Sequence, residues 1–235
     1  MPWQWTPPPP RRRGVEILDD PGTDDSVRAR SMADVVRANT LFGGTRAVLA
    51  AVRHLMPRLP TTALLLDVGT GSGDIPDRLR AEARRHGKDL TIIGADLCPA
   101  LLQANRERFS AAVAADVTRL PVRDGAATLV VCSQLLHHFA EREARAVIAE
   151  LHRASRGWVV IADLRRSRLA AAGFWTASRL LRFHPVTQHD GVTSVFRGFT
   201  MQELATLVRG VTGITPHVRG GVFWRLTATW EKGPR

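Results

Sequence analysis

The chain has 235 residues, of which 44% are hydrophobic, and this suits one α/β domain with added segments. It contains no apolar run long enough to span a membrane, no apolar signal segment and only two cysteines, Cys98 and Cys132, so we expect a reduced, cytoplasmic setting with no metal site. The net charge of +11 comes from arginines that are scattered along the chain, whereas nucleic-acid-binding proteins concentrate basic residues on one face, so the charge does not predict a nucleic-acid partner.

Two segments precede the first predicted strand. Residues 1–23 form a tail rich in proline and arginine, and we expect residues 1–13 of it to be disordered or extended, and solvated. Residues 24–58 are predicted to form a helical lid, with Asp24 or Asp25 as the cap of the first helix and Gly43-Gly44 as the break before the second. We therefore expect the α/β core to occupy residues 59–235.

Strands and helices alternate in the first part of this core. Helices are predicted at residues 74–86 and 141–154, and another begins at Pro99. Five apolar runs predict strands, at residues 64–68, 90–96, 111–116, 127–132 and 158–163. Such an alternation predicts a doubly wound, Rossmann-like sheet whose strands are mostly parallel.

The alternation changes after the fifth predicted strand. Residues 164–198 are predicted to be an insertion that forms part of a lid and is helical up to about Leu181. A further helix is predicted at residues 200–209, because Thr200 and Glu203 have the spacing of a capping box.

Two more strands are predicted at the end of the chain, at residues 213–219 and 222–230. The Gly220-Gly221 dipeptide between them predicts a tight hairpin. Together with the five earlier strands, they bring the predicted sheet to seven.

A glycine-rich turn follows the first predicted strand and reads Asp67-Val68-Gly69-Thr70-Gly71-Ser72-Gly73. It closes a buried strand and opens a helix, which is where nucleotide-binding turns occur. Glycines allow the backbone to turn sharply and allow a ligand to lie against main-chain N–H groups. The turn therefore predicts a nucleotide-like ligand.

Three carboxylates end consecutive predicted strands. Asp96 can accept hydrogen bonds from ribose hydroxyls, Asp116 can meet an adenine amino group, and Asp67 can face a positive charge. Each of them alone could instead cap a helix. Taken together, they favour a cationic ligand that carries a ribose and an amine over a ligand with a pyrophosphate.

These stretches resemble the class I S-adenosylmethionine-dependent methyltransferases. The two helices around residues 32–44 resemble the N-terminal lid of the ubiquinone- and menaquinone-type members. Four stretches carry the family resemblance, namely residues 65–73, 93–96, 115–121 and 130–139.

The resemblance implies a seven-stranded Rossmann-like fold with an antiparallel last strand. It also implies S-adenosylmethionine as cofactor and S-adenosylhomocysteine as product. The glycine turn would pass beneath the methionine and ribose moieties, and Ser133 would lie near the sulfonium. The implied cofactor contacts are Asp67, Gly69, Thr70, Gly71, Gly73, Asp96, Leu97, Asp116, Val117 and Ser133.

Methyl transfer to a hydroxyl requires a base, and histidine titrates in the right range. The candidates are His137 and His138, which follow the fourth strand at the ligand-binding edge, and His189, in a predicted turn within the insertion. Alternatively, His137 and His138 orient the loop and do not contact the substrate.

The expected acceptor is a small aromatic or phenolic compound of the natural-product type, with O-methylation favoured, because the insertion is rich in aromatic side chains. Carbon or nitrogen methylation, RNA or DNA methylation and non-methylating chemistry remain alternatives. An adenine-methylating enzyme would carry an Asn/Asp-Pro-Pro-aromatic motif where this chain has Ser133-Gln134-Leu135-Leu136. The N-terminal helices are also compatible with a homodimer.

Overall fold

One seven-stranded sheet forms the centre of the computed structural model, which describes residues 8–12, 14–20 and 22–233. The strands lie in the order β3-β2-β1-β4-β5-β7-β6. The first five are parallel, and β7 is antiparallel to both β5 and β6. Their bounds are β1 Thr62–Val68, β2 Asp89–Asp96, β3 Ala111–Ala114, β4 Ala127–Ser133, β5 Ser155–Leu164, β6 His217–Gly220 and β7 Arg225–Glu231. The predicted fold class, including the antiparallel last strand, is confirmed.

Helices cover both faces of this sheet and lie over its carboxyl edge. None of them, in the part of the chain that the structure describes, combines the length and the apolar character that a membrane span requires. Their bounds are α1 Asp25–Leu41, α2 Gly44–Leu55, α3 Asp74–Arg85, α4 Pro99–Ala104, α5 Glu141–Ala154, α6 Arg168–Leu180, α7 Pro185–Arg197 and α8 Met201–Thr212.

The apolar runs of the central strands explain why both faces are covered. Successive side chains of a strand point to opposite faces, so Leu65 packs with the helices α2 and α3 while Leu66 packs with α5 and α8. Both leucines are fully buried, as expected for a parallel sheet with helices on each side.

Helix capping follows the sequence closely at two positions. The Asp24 side chain accepts hydrogen bonds from the backbone N–H groups of Ser26 and Val27, which caps α1. Thr200 and Glu203 form the predicted capping box at the start of α8. In both cases a short polar side chain satisfies N–H groups that the first helical turn leaves unpaired.

The lid insertion differs from its prediction, because two helices, α6 and α7, occupy it. The turn predicted around His189 and Gly191 is wrong, since both residues lie inside α7. Gly191 serves a close approach of the two helices: a Cβ at this position would lie 2.0 Å from Cε1 of Phe174 on α6. The glycine that suggested a turn is therefore a packing residue.

Two predicted strand ends also need correction. β3 ends at Ala114, so Asp116 lies in the turn that follows the strand. The connection between β6 and β7 is longer than a two-residue hairpin, because Gly220 still pairs with Leu226 and residues 221–224 form the loop. Phe223 and Trp224 adopt positive φ angles of 51° and 54° in this loop.

The N-terminal arm, defined here as residues 8–12 and 14–20, packs against the lid, so the expectation of a solvated tail is wrong for residues 8–12. Pro9 is buried, and its carbonyl accepts a hydrogen bond of 2.6 Å from Arg166 Nε. The Arg11 guanidinium stacks over Phe199 at 4.1 Å and donates to the carbonyl of Arg197. The rest of the predicted tail, residues 1–7, 13 and 21, lies outside the described residues.

Candidate active site

A cavity of about 580 Å³ lies at the carboxyl edge of the sheet, beneath the lid helices and the N-terminal arm. Its floor includes Gly69 after β1, Asp96 at the end of β2 and Gln134 after β4. The strand order reverses between β1 and β4, and ligands of open α/β sheets bind at such a reversal. The volume falls within the range of roughly 300–1,000 Å³ that holds a drug-sized ligand.

The glycine turn forms the floor of this cavity. Gly69, Gly71 and Gly73 have φ angles of 72°, 54° and 72°, a region that other residues rarely adopt. A Cβ at Gly69 would lie 2.6 Å from the Leu135 side chain, whereas a Cβ at Gly71 would meet no atom within 4 Å. Leu135 therefore packs against the turn at Gly69, whereas the space next to Gly71 is open, so that a ligand can lie against the backbone there.

The acidic side chains around this turn carry no basic partner among the described residues. Asp96 lines the cavity, and its carboxylate accepts the backbone N–H groups of Gly71 at 2.8 Å and Cys98 at 3.0 Å. Asp67 is buried and accepts the Thr70 hydroxyl at 2.6 Å. Burial, together with the nearby charges of Asp74 and Asp96, raises the pKa of Asp67 to about 7, although the hydrogen bond from Thr70 acts to lower it. A cationic ligand would supply the missing positive charge, so these residues fit a sulfonium cofactor.

The other predicted cofactor residues lie in different surroundings. Ser133 Oγ is buried at the end of β4 and has no hydrogen-bond partner among the described residues. Thr70 is buried, and Gly73 begins α3 directly behind the turn. Of the ten predicted cofactor residues, Gly69, Gly71 and Asp96 line the cavity and the other seven do not.

Asp116 and Leu97 have exposed side chains, and Val117 is buried in the core. The Thr118 N–H and hydroxyl donate to the Asp116 carboxylate and hold its pKa below the usual range. The contact between Asp116 and adenine therefore stays a prediction, and Asp116 lies outside the cavity wall.

His137 lines the cavity and forms a buried pair with Asp163 behind it. His137 lies on a short 3-10 helix after β4, and its Nδ1 is 2.6 Å from Oδ1 of Asp163 near the end of β5. The backbone N–H of His137 donates to the other carboxylate oxygen at 3.0 Å. This pairing joins the carboxyl ends of two neighbouring strands.

The pairing determines which nitrogen of His137 is free. Burial acts to raise the pKa of Asp163, but His137 and the N–H groups of Leu164 and His137 outweigh it and keep the pKa below the usual value. Asp163 is therefore an acceptor for an Nδ1–H group of His137. In the neutral ring with this tautomer, Nε2 would carry the lone pair, and no partner for Nε2 is found in the described parts of the chain. A neutral imidazole in this tautomer can accept a proton.

His138 has different contacts from its neighbour. Its ring lies 4.3 Å from that of His137, and its Nδ1 is 3.3 Å from Asp19 and 3.7 Å from Glu16 of the N-terminal arm. Burial alone would lower the pKa of His138, but Asp19, Glu16 and Asp163 together raise it. His138 therefore connects the arm to the site.

Glu16, His137 and His138 also bring one potential metal-ligand atom each to within 4.8 Å of one another. The Arg197 guanidinium lies within this group, 2.9 Å from Glu16 and 3.4 Å from His138 Nδ1. Because a protein cation already neutralises the carboxylate, we interpret the cluster as an ion-pair network of the arm.

His189, the third candidate base, does not line the cavity. Its side chain is 54% exposed on α7, and its Nδ1 contacts Asp190 at 2.8 Å. The buried neighbour Asp190 is the residue that faces the cavity, where it accepts the backbone N–H groups of Ile17 and Leu18. Its position inside a helix directs His189 away from the site.

Sequence reasoning missed several residues of the site. Asp163 ends a strand at the ligand-binding edge and could have been found by the rule that identified Asp67 and Asp96. Arg225 is buried at the start of β7 and donates to Phe42 O at 2.7 Å and to Gln134 Oε1 at 2.6 Å. No local pattern distinguishes this arginine from the others in the chain.

Two arginines of the lid segment have structural partners. Arg166 bonds Pro9, Gly198 and Glu203, and Arg197 pairs with carboxylates of the arm. These two arginines hold the lid and the arm together.

Comparisons with known proteins agree with this geometry. Residues 65–157 match the family model described as a methyltransferase domain. A mouse tRNA (carboxymethyluridine(34)-5-O)-methyltransferase, ALKBH8, is 32% identical over 92 residues, which are 39% of this chain and 13% of that protein. An uncharacterised methyltransferase-like protein of Schizosaccharomyces pombe is 33% identical over 85 residues, 35% of this chain and 31% of its own length. The chain thus spans less than a third of these curated relatives.

Solved structures share the fold over most of the chain. A putative S-adenosylmethionine-dependent methyltransferase from Methanococcus maripaludis superposes with a TM-score of 0.59 at 14% identity, covering 95% of this chain and 98% of that one. The 1,6-didemethyltoxoflavin-N1-methyltransferase of Burkholderia thailandensis gives a TM-score of 0.54 at 20% identity, covering 91% and 92%. Residues 65–157 therefore match a methyltransferase domain, and the chain as a whole shares the fold of these S-adenosylmethionine-dependent methyltransferases.

Proposed function

We propose that this chain transfers a methyl group from S-adenosylmethionine to a hydroxyl of a small aromatic acceptor, with His137 as the general base. The observation that carries this proposal is the buried His137–Asp163 pair, with its 2.6 Å contact, whose histidine lines the cavity that also contains the glycine turn. This arrangement combines a proton acceptor and a cofactor floor in one closed space.

The cofactor assignment uses the residues around the glycine turn. Asp96 would accept hydrogen bonds from the ribose hydroxyls, and the Gly71 backbone would lie beneath the ligand. Asp67 and the unpartnered Ser133 hydroxyl would lie on the side of the sulfonium. When bound, S-adenosylmethionine supplies the electrophilic methyl group.

The residues of the chain perform the proton transfer and the alignment. Asp163 holds His137 in the tautomer that leaves Nε2 free, and it would stabilise the imidazolium that forms. Nε2 of His137 would take the proton of the acceptor hydroxyl as its oxygen is methylated. S-adenosylmethionine, held by the glycine turn and Asp96, would supply the methyl group and would leave as S-adenosylhomocysteine. Enclosure by the lid holds the two reactants in line.

The apolar walls support a small aromatic acceptor. The side chains that line the space above the cofactor floor are Met32 and Val35 from α1, Phe42 directly after α1, Phe174 from α6 and Val195 from α7. These side chains would bury an aromatic ring, while a few polar groups at the base orient its hydroxyl.

RNA methylation is the second candidate, because the mouse relative acts on a tRNA. The net charge of +11 would suit such a substrate. Against it, the lid and the arm cover the cavity, so only an extruded nucleotide could enter. Transfer that survives nuclease treatment of the substrate fraction would exclude RNA.

Replacement of the base tests the proposal. We expect His137→Ala to lower turnover by about 10²–10⁴-fold, the usual contribution of a general base, when S-adenosylhomocysteine release is measured with a small-molecule extract as acceptor. His189→Ala is the matched control, because its exposed imidazole lies outside the cavity, and it should keep the wild-type rate. Equal rates for wild type and His137→Ala from pH 6 to 9 would contradict the base assignment.

A further inference from the structure

Arg225 places a guanidinium in the cavity wall with several of its donors unused. Its side chain is buried, and it uses Nε for the Phe42 carbonyl and Nη1 for the Gln134 amide oxygen. Arginine has five N–H donors. Nη2 forms no hydrogen bond within the described residues, and no carboxylate there lies within ion-pair distance of Arg225.

Gln134 adds a second unused donor beside it. Its Oε1 accepts from Arg225, and this contact assigns the other amide atom, Nε2, as the donor. Nε2 is buried and has no partner among the described residues. The backbone of Gln134 has a φ of 55°, so the fold holds this residue in an unfavourable conformation next to Arg225. Two neighbouring side chains of the wall thus present donors that lack acceptors.

The acidic groups nearby already have partners. Asp163 is hydrogen-bonded to His137 and Leu164. Its charge interacts with that of Arg225, but the two groups lie beyond ion-pair distance. The four carboxylates that line the cavity bond to the arm, to the lid or to backbone N–H groups, and they are Glu16, Asp19, Asp96 and Asp190. A buried cation without a counter-charge is costly, so an anionic ligand is the complement that this wall lacks.

We propose that Arg225 and Gln134 form an anion-recognition subsite for a carboxylate of the methyl acceptor, which makes the preferred substrate an aromatic hydroxy acid. The guanidinium binds a carboxylate in a planar, charge-assisted contact. His137 borders the same cavity, so one acceptor presents its carboxylate to Arg225 and its hydroxyl to Nε2 of His137. The acceptor's place in the cavity rests on the proposed function, whereas the test below measures binding alone.

Calorimetry with matched probes tests the subsite. The protein is saturated with S-adenosylhomocysteine and titrated with 3-hydroxy-2-naphthoate and with its neutral carboxamide, which has nearly the same shape. We expect the wild type to bind the acid at least about tenfold more tightly than the amide, as a charged hydrogen bond implies. Arg225→Gln should remove this preference, and Arg225→Lys should keep part of it, while both variants retain their affinity for S-adenosylhomocysteine.

Three results would overturn the proposal. The first is equal binding of the acid and the amide by the wild type, a measurement for which no variant is needed. The second is an undiminished preference in Arg225→Gln. The third is loss of S-adenosylhomocysteine affinity in Arg225→Gln with the preference intact, which would assign the arginine to the cofactor carboxylate.

Two further measurements keep the test decisive. If Arg225→Gln does not fold, Gln134→Leu removes the neighbouring donor while it keeps the charge, and it should reduce the preference severalfold; an unchanged preference would count against the subsite. A preference for the acid without any methyl transfer would contradict the proposed function and leave the subsite standing. Methyl transfer with equal binding of both probes would contradict the subsite alone.

Discussion

Asp96 gives the most direct test of the cofactor assignment at the scale of a single residue. Its carboxylate is held by two backbone N–H groups at the end of β2 and keeps lone pairs for a ribose diol. Asp96→Asn removes the charge from these contacts, so S-adenosylhomocysteine should bind about 10–100-fold more weakly by calorimetry. Asp89→Asn, at the exposed start of the same strand, should leave the affinity unchanged. Wild-type affinity in Asp96→Asn would end the ribose assignment.

Asp67 predicts a pH dependence of stability. Its pKa is about 7 in the folded protein against 3.8 for the ordinary side chain, chiefly because the carboxyl is buried. Between these two values the folded protein holds a proton that the unfolded chain has released, so this group makes the protein less stable as pH rises. The slope approaches about 1.4 kcal/mol per pH unit.

Comparison with Asp67→Asn isolates this contribution, because the other titrating groups are common to both proteins. Urea denaturation of the cofactor-free proteins from pH 4 to pH 7 should show the wild type losing stability relative to the variant. A difference in unfolding free energy that stays constant over this range would show that Asp67 titrates normally.

At the scale of elements, the contact between α6 and α7 sets the shape of the lid. Gly191→Ala would push a Cβ to within 2.0 Å of the Phe174 ring, so one helix must move. Overpacking of this kind costs about 1–3 kcal/mol, which denaturation would reveal as a lower midpoint. Phe174 also lines the cavity, so acceptor binding should weaken as well.

Gly173→Ala is the control for that change. Gly173 lies on α6, and a Cβ there would meet no atom within 4 Å. Alanine favours a helix over glycine by about 0.5–1 kcal/mol, so this variant should be slightly more stable than the wild type. If both variants had the same stability, the close approach of α6 and α7 would not explain Gly191.

At the scale of the whole molecule, the parallel sheet was predictable because apolar runs alternate with helical segments and nothing else competes with that pattern. Asp67 and Asp96 were found for the same reason, since strand ends gather at one edge. The sequence could not reveal Arg225, which reaches the cavity only because β7 inserts antiparallel beside β5. The packing of the N-terminal arm could not be predicted either. Its prolines indicate an extended chain, but they do not show which lid residues Glu16 and Asp19 contact.

His189 illustrates the same limit. A His-Asp-Gly sequence is typical of a turn, but the glycine here fits beneath an aromatic ring of another helix. Only the packing of α6 on α7 shows that His189 faces outward and that the base should be sought at His137.

The identity of the atom that receives the methyl group tests the account most directly. The protein can be incubated with a small-molecule extract and S-adenosylmethionine labelled with carbon-13 in its methyl group, and the product analysed by NMR and mass spectrometry. We predict one labelled methyl group on the oxygen of a small aromatic molecule, with S-adenosylhomocysteine formed in equal amount. A label on carbon, on nitrogen or in RNA, or no transferred label, would contradict the proposal that His137 deprotonates a hydroxyl in this cavity.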